Sequence, residues 1–256
     1  MLFCLILLQN KVSIMQKPLI AIIAAMQPEL DYLLEQLDNR QDSQAGAVHF
    51  HRGEIKGVPV ILALSGIGKV NAALTTAVII ERFTPDYIIN TGSAGGLKAG
   101  IQIGDVVVGY EIAHHDVDVT VFGYVPGQVP QLPARFNANQ YLADAARKAA
   151  HVFTGAEIYT GLIVSGDQFV GTAGQNRLIK EKFSDVVAVE MEAAAIAQTC
   201  YQLNIPFVII RAISDNGDAN AFVSFDQFLQ RAAGNSAQMV INLITSGLNK
   251  SAFENK

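Results

Sequence analysis

Cysteine is nearly absent: Cys4 and Cys200 are the only two in 256 residues. They make no disulfide framework and match no metal-ligand spacing, which favours a reducing, cytoplasmic setting. Charge is sparse as well, at 16% of residues with a formal net value of −5. Lysines and arginines are scattered in nothing longer than a pair, so a nucleic-acid partner is not expected. A membrane-spanning apolar run is also missing. The opening "MLFCLILL" is too short to span, with no positive residue before it and no small-residue cleavage site after it. Residues 1–14 are therefore expected to be an extension, in keeping with an over-called start ahead of Met15, and no membrane association is expected.

Hydrophobic residues are abundant, at 50% of the chain, enough for one large core. Short apolar runs rich in β-branched residues alternate with segments of helical spacing. "LIAIIAA" precedes "QPELDYLLEQL", whose Pro28 suits a first helical turn. "AVHFHRGEIKGVPVILALSG" alternates as a hairpin with Gly57-Val58-Pro59 near its turn. "KVNAALTTAVIIERF" and "NQYLADAARKAA" read as helices, and "DYIINTGSAGGL" as a strand entering a glycine-rich loop and a tight strand-to-helix turn. "GDVVVGYEIAHHDVD", "IYTGLIVSGDQFV", "VVAVEMEAAAIAQTCYQL" and "PFVIIRAISDNGD" continue the pattern, and a last helix is expected from about Phe225 to Leu248. The composition does not break after Met15. The expectation is one α/β domain over residues 15–256, with a mostly parallel, mixed central sheet flanked by helices.

In such sheets ligands bind beyond the carboxyl ends of the strands. The residues that follow the strands there are Met26 and Glu29; the run from Thr91 to Gly96; Asp167, Phe169 and Val170; Glu190, Met191 and Glu192; and Ser214 and Asp215. Each alone has a bland explanation. Glu29 and Glu190 could complement helix dipoles, and Ser214-Asp215 could cap a helix. Their convergence on one rim is the argument for a site. Three familiar motifs are excluded. "SGIGKV" has Ala63 where a P-loop needs glycine and Val70 where it needs Ser or Thr, "TGSAGGL" lacks the dinucleotide spacing, and no G-x-S-x-G is present. "HFH" and "AHHDVD" follow no metal-ligand spacing, so neither metal nor cofactor is expected.

The set "SGIGKVNAA", "INTGSAGG", "IVSGDQFV", "VAVEMEAAAIA" and "VIIRAISD" resembles the purine nucleoside phosphorylase superfamily. Within it the resemblance is to the 5'-methylthioadenosine/S-adenosylhomocysteine nucleosidases, and it runs from about Met15 to the last helix. It implies hydrolysis of an adenosine-type N-glycosidic bond with no cofactor. Carried onto this sequence, Glu29 would activate water and Asp215 would protonate the departing adenine. Glu192, preceded by Met191, would hold the ribose hydroxyls. Ser93 and Gly95 would floor the pocket, Phe169 would stack on the base, and the Val170 backbone would bond its edge. Met26, Ile67, Ser214 and Arg211 would complete the substrate-binding set. Phe122, Tyr124 and Pro130 of "DVTVFGYVPGQVP" would reach the partner subunit's pocket in a homodimer. Gln27 and Pro28 depart from the family, which often carries acids there.

The chemistry is consistent in its own right. An oxocarbenium-like transition state needs a protonated leaving base on one face and a delivered water on the other. Vicinal hydroxyls would also satisfy the charge of a buried Glu192; Glu190 is expected to have a supporting role. Rival readings are a phosphorylase, disfavoured because Glu29 would repel phosphate; a nucleosidase for another adenosine-like or futalosine-type nucleoside; and a silent nucleoside-binding protein.

Overall fold

Runs of β-branched and apolar residues form the strands, and alanine- or leucine-rich stretches of helical period form the helices between them. The structure, a computed structural model, describes residues 17–150, 156–218 and 220–249; the extension expected over residues 1–14 lies outside them. The described residues begin with β1 (Ile20–Ala24), α1 (Gln27–Leu34), β2 (Asp38–Ala45), β3 (Val48–Ile55) and β4 (Val58–Leu64). They continue with α2 (Lys69–Phe83), β5 (Tyr87–Gly96), β6 (Val106–His114), a 3-10 turn at Thr120–Phe122, and β7 (Phe136–Asn137). Then come α3 (Gln140–Ala150), β8 (Ile158–Ser165), α4 (Ala173–Lys182), β9 (Val186–Glu190), α5 (Ala193–Gln202), β10 (Phe207–Asp215) and α6 (Ala221–Thr245).

All strands join one mixed sheet. Strands β4, β1, β5 and β10 are parallel neighbours, and so are β6, β8 and β9. The two sets run in opposite senses. β6 is antiparallel to β10, and Gly95 and Gly96 at the end of β5 meet Val189 and Ala188 near the end of β9. Because β5 also pairs with β10, five strands close into a ring, β10-β6-β8-β9-β5. The carboxyl ends of β5, β9 and β10 therefore come together through a seam between two opposed parallel sets, not through one uniformly parallel sheet.

Both faces of the centre are covered, so β1 is apolar throughout, and β5 and β10 begin with apolar runs before their polar carboxyl ends. Ile20, Ile22 and Ala24 of β1 share a core with α1, α3 and α6, while Ala21 and Ile23 share the other with α2 and α5. Each fully buried Ile contributes about 1.5–3 kcal/mol. Hairpin β2–β3 extends the sheet outward, and β2 is exposed along nearly its whole length.

Three local expectations are corrected. "TGSAGG" is not a loop, because β5 runs through Gly96 and a connection to β6, not a helix, follows it. Pairing with β10 and β9 supplies ladder partners there, and glycine admits them: a Cβ on Gly96 would lie 2.6 Å from an Ile101 methyl. The hairpin turn falls at Lys56-Gly57, with φ of 49° and 74°, so Val58 and Pro59 already belong to β4. The last helix starts at Ala221, ahead of Phe225, and ends at Thr245.

Candidate active site

Glu29 owes its position to the sharp passage from β1 into α1. Pro28 opens the helix, and the Glu29 side chain folds back so that Oε2 accepts the N–H groups of Ala25 and Met26, both at 3.0 Å. Oε1 accepts from the Ser93 N–H at 3.0 Å and the Ser93 hydroxyl at 3.1 Å. Four donors thus surround a carboxylate that is 1% exposed. Gly92 is obligatory beside it, since a Cβ there would lie 2.8 Å from Oε1 and overlap the Arg211 guanidinium.

Asp215 ends β10 and is also buried. Its Oδ1 accepts from the Gly217 N–H at 2.8 Å and its Oδ2 from the Ser214 hydroxyl at 2.9 Å. Burial pushes its pKa above the usual carboxylate range, and these two donors offset only part of that rise. A Cβ on Gly95 would approach Oδ1 to 2.9 Å. Glu29 is thus anchored at Ser93 and Asp215 lies beside Gly95, so both carboxylates are set along the same end of β5.

The acids flanking Met191 differ sharply in their surroundings. Glu190 faces inward at the start of α5, accepting the N–H groups of Glu192 at 3.0 Å and Ala193 at 2.9 Å. It also accepts from the Ser165 hydroxyl and pairs with Arg211. Arg211, 1% exposed, bonds Asn90 Oδ1 at 2.6 Å through the same nitrogen. Breaking such a buried pair from one side costs about 3–5 kcal/mol. Glu192 receives one backbone donor, the Gly68 N–H at 2.8 Å, with Arg211 at 3.6 Å. Burial and the Glu190 charge raise its pKa above the ordinary carboxylate range. Its acceptor capacity is largely unspent, and it borders open space.

That space is a cavity of 360 Å³. All the residues expected to act within one subunit border it: Met26, Glu29, Ile67, Ser93, Gly95, Phe169, Val170, Met191, Glu192, Arg211, Ser214 and Asp215. Phe122, Tyr124 and Pro130 do not; they lie on the long β6–β7 connection, where Phe122 is 77% exposed. The sequence reading missed Gln168 and Phe225, which also border the cavity. Phe225 meets Phe169 edge-on at 5.8 Å between centroids. Its spacing in "FVSFDQF" is that of any core-facing helical aromatic, so no local signal singles it out. The rejected "SGIGK" segment serves the site as a strap over Glu192. Lys69 N–H donates to Asp167 at 2.8 Å, and Asp116 joins the Lys69 ammonium to the Asp167 N–H. Among the described residues no group of three His, Cys, Asp or Glu is placed to hold a metal ion.

A ring-closed mixed sheet with four buried carboxylates, Glu29, Glu190, Glu192 and Asp215, around an apolar cavity at its seam defines a nucleoside-processing enzyme of the phosphorylase superfamily, and that family's model matches residues 19–245. A 5'-methylthioadenosine/S-adenosylhomocysteine nucleosidase of a Geobacillus species is 48% identical over 227 residues, covering 89% of this chain and 98% of the relative. The nucleosidase of the same name from Neisseria meningitidis, solved with methylthio-immucillin-A, is 55% identical with a TM-score of 0.88, covering 90% of this chain and all of that one. The Colwellia psychrerythraea enzyme, solved with adenine, is 43% identical with a TM-score of 0.89, covering 90% of this chain and 96% of that one. The chain belongs to the family of 5'-methylthioadenosine/S-adenosylhomocysteine nucleosidases.

Proposed function

We propose that this chain hydrolyses the N-glycosidic bond of 5'-methylthioadenosine and S-adenosylhomocysteine, releasing adenine and the thioribose product, in methionine salvage and the methyl cycle. The observation that carries the reading is the trio Glu29, Glu192 and Asp215 buried around one cavity, each in a different electrostatic setting. Adenine leaves poorly as an anion, and Asp215, a carboxyl whose pKa burial raises, is the group that would protonate it. Glu29, anchored to Ser93 of β5, is the carboxylate that would deliver water to the opposite face of the anomeric carbon. Of its four donors, only the Ser93 hydroxyl can rotate; a water entering from the cavity takes that place and is oriented by both groups.

Glu192 accepts from the ribose hydroxyls, which supply the donors that the protein withholds from it. Phe169 and Phe225 hold the base, and Val170 presents an N–H and a C=O with no hydrogen bond among the described residues. Met191, Gly95, Ser214 and Arg211 shape the sugar and base walls, and Met26 and Ile67 the thioalkyl end. Phosphate is a poor fit for the attacking position: the Glu29 carboxylate would repel it, and among the described residues the one cation lining the cavity, Arg211, is already committed to Glu190 and Asn90.

The enzyme acts as a cytoplasmic homodimer in this reading. Exposed Val121, Phe122 and Val125 form an apolar arm that suits a second copy, with Phe122, Tyr124 and Pro130 closing that copy's thioalkyl subsite. Adenine release from methylthioadenosine, measured with and without phosphate after chelation, tests the reaction. Release indifferent to both is expected; strict phosphate dependence would make the enzyme a phosphorylase, and no release would return the question to other nucleosides.

A further inference from the structure

The leaving-group half of the cavity has two walls that are distant in sequence, the 168–171 loop and the 215–217 turn, and α4 touches both. Gln175 grips the first. Its Nε2 donates to Phe169 O at 3.4 Å, and its Oε1 accepts from the Gly171 N–H at 3.2 Å and the Thr172 hydroxyl at 2.9 Å. The backbone groups on either side of Val170 are thereby engaged, while those of Val170 itself stay unbonded at the cavity. Asn176 grips the second wall. Its Nδ2 lies 3.3 Å from both Asn216 O and Gly217 O. Gly217 in turn donates its N–H to Asp215. Gly217 has φ +59°, which a side chain rarely adopts, and a Cβ there would lie 3.1 Å from Leu97 and in ordinary contact, 3.6 Å, with Val170. The turn that holds the acid thus packs directly on the wall expected to read the base.

We propose that Gln175 and Asn176 are positioning residues for the leaving group, Gln175 setting the edge presented by Val170 and Asn176 setting Asp215 through Gly217. The inference rests on the reading above, that a purine departs from this pocket under protonation by Asp215. The two roles separate kinetically. Gln175 acts on base binding and Asn176 on proton transfer. Loosening Gly217 takes a hydrogen bond from the ionised form of Asp215, which favours its protonated form and extends activity toward higher pH. Other charges facing this acid are Asp218 in the same turn, with Arg177, Lys180 and Glu181 of α4 along the same cleft, and Glu29, Glu190, Glu192 and Arg211 around the cavity. Neither substitution touches them.

The test is steady-state hydrolysis of methylthioadenosine by the full chain across pH, with adenine inhibition and thermal midpoints measured in parallel. Gln175→Ala is expected to raise KM and the adenine inhibition constant roughly 3- to 10-fold with kcat within twofold. Asn176→Ala is expected to lower kcat by a similar factor, leave KM within twofold, and move the basic limb upward. Gln175→Glu, which keeps the acceptor half, should fall between; Asn176→Leu, similar in size, uncharged and without the donor, carries the test if the alanine variant does not fold. Folded variants with unchanged kinetics, or variants that shift only the thermal midpoint, would overturn the proposal while leaving the wild-type reaction intact. So would identical effects from both positions. A wild-type protein that does not cleave methylthioadenosine would instead sink the functional reading, and this proposal with it.

Discussion

Replacing Glu29 with glutamine keeps the shape of the side chain but turns one of its two oxygens into a donor. Both oxygens now accept two hydrogen bonds each. In the variant, the NH2 group facing Ala25 and Met26 would oppose two backbone N–H groups that cannot turn away. Facing Ser93 it opposes one, while the Ser93 hydroxyl rotates to accept. The second arrangement is the less costly, and it leaves the buried Ser93 N–H unpaired. Losing a bond to a charged acceptor costs about 1.5–3 kcal/mol, and the surviving bonds weaken against a neutral one. Removing repulsion between Glu29 and Glu192 offsets part of this. The net loss is about 2–4 kcal/mol, or roughly 4–16 °C in thermal midpoint for a domain of this size. Adenine release should fall by about 10²–10⁴ if Glu29 activates the water, with the nucleoside still bound. Paired denaturation and initial-rate assays read both effects. Stability within about 0.5 kcal/mol of the parent would refute the four-donor argument, and a rate loss under tenfold would refute the base.

Three further outcomes are expected. Asp215→Asn should abolish turnover while methylthioadenosine binding, measured by calorimetry, is largely kept; near-normal turnover removes Asp215 from the acid's role. Because the free Glu192 carboxyl has a raised pKa, it holds a proton at pH values where an ordinary glutamate does not, and hydroxyl donors favour the ionised form. A non-hydrolysable nucleoside analogue with both ribose hydroxyls should therefore release protons on binding near pH 7, and adenine alone should not. Equal proton counts for the two ligands, from calorimetry in buffers of different ionisation heat, would contradict this. Gly95→Ala places a methyl 2.9 Å from Asp215 Oδ1 and should cut kcat by roughly tenfold or more through displacement of the acid, with the far-ultraviolet spectrum unchanged; an unaffected kcat would mean the acid has room to spare.

Much of this enzyme is legible along the chain. The apolar runs became strands and the 3.6-period segments became helices, because core-facing periodicity is a local property. Glu29, Glu192 and Asp215 stood out for a related reason: a carboxylate next to an apolar run is bound for burial, and burial of charge demands a purpose. Strand β2, "DNRQDSQA", was invisible because an exposed edge strand has no apolar face to show. "TGSAGG" looked like a loop because its partners on β9 and β10 lie about a hundred residues away. Phe225, and the grip of Gln175 and Asn176 on the two pocket walls, likewise have no local signature. The sequence alone determined the order of elements and which polar side chains follow the apolar strands, since both follow from side-chain polarity and short-range spacing. Only the tertiary structure decided that two opposed parallel sets close into a ring, bringing strand ends from distant segments to within one nucleoside's reach, since ladder pairing between remote strands is a cooperative choice of the whole chain.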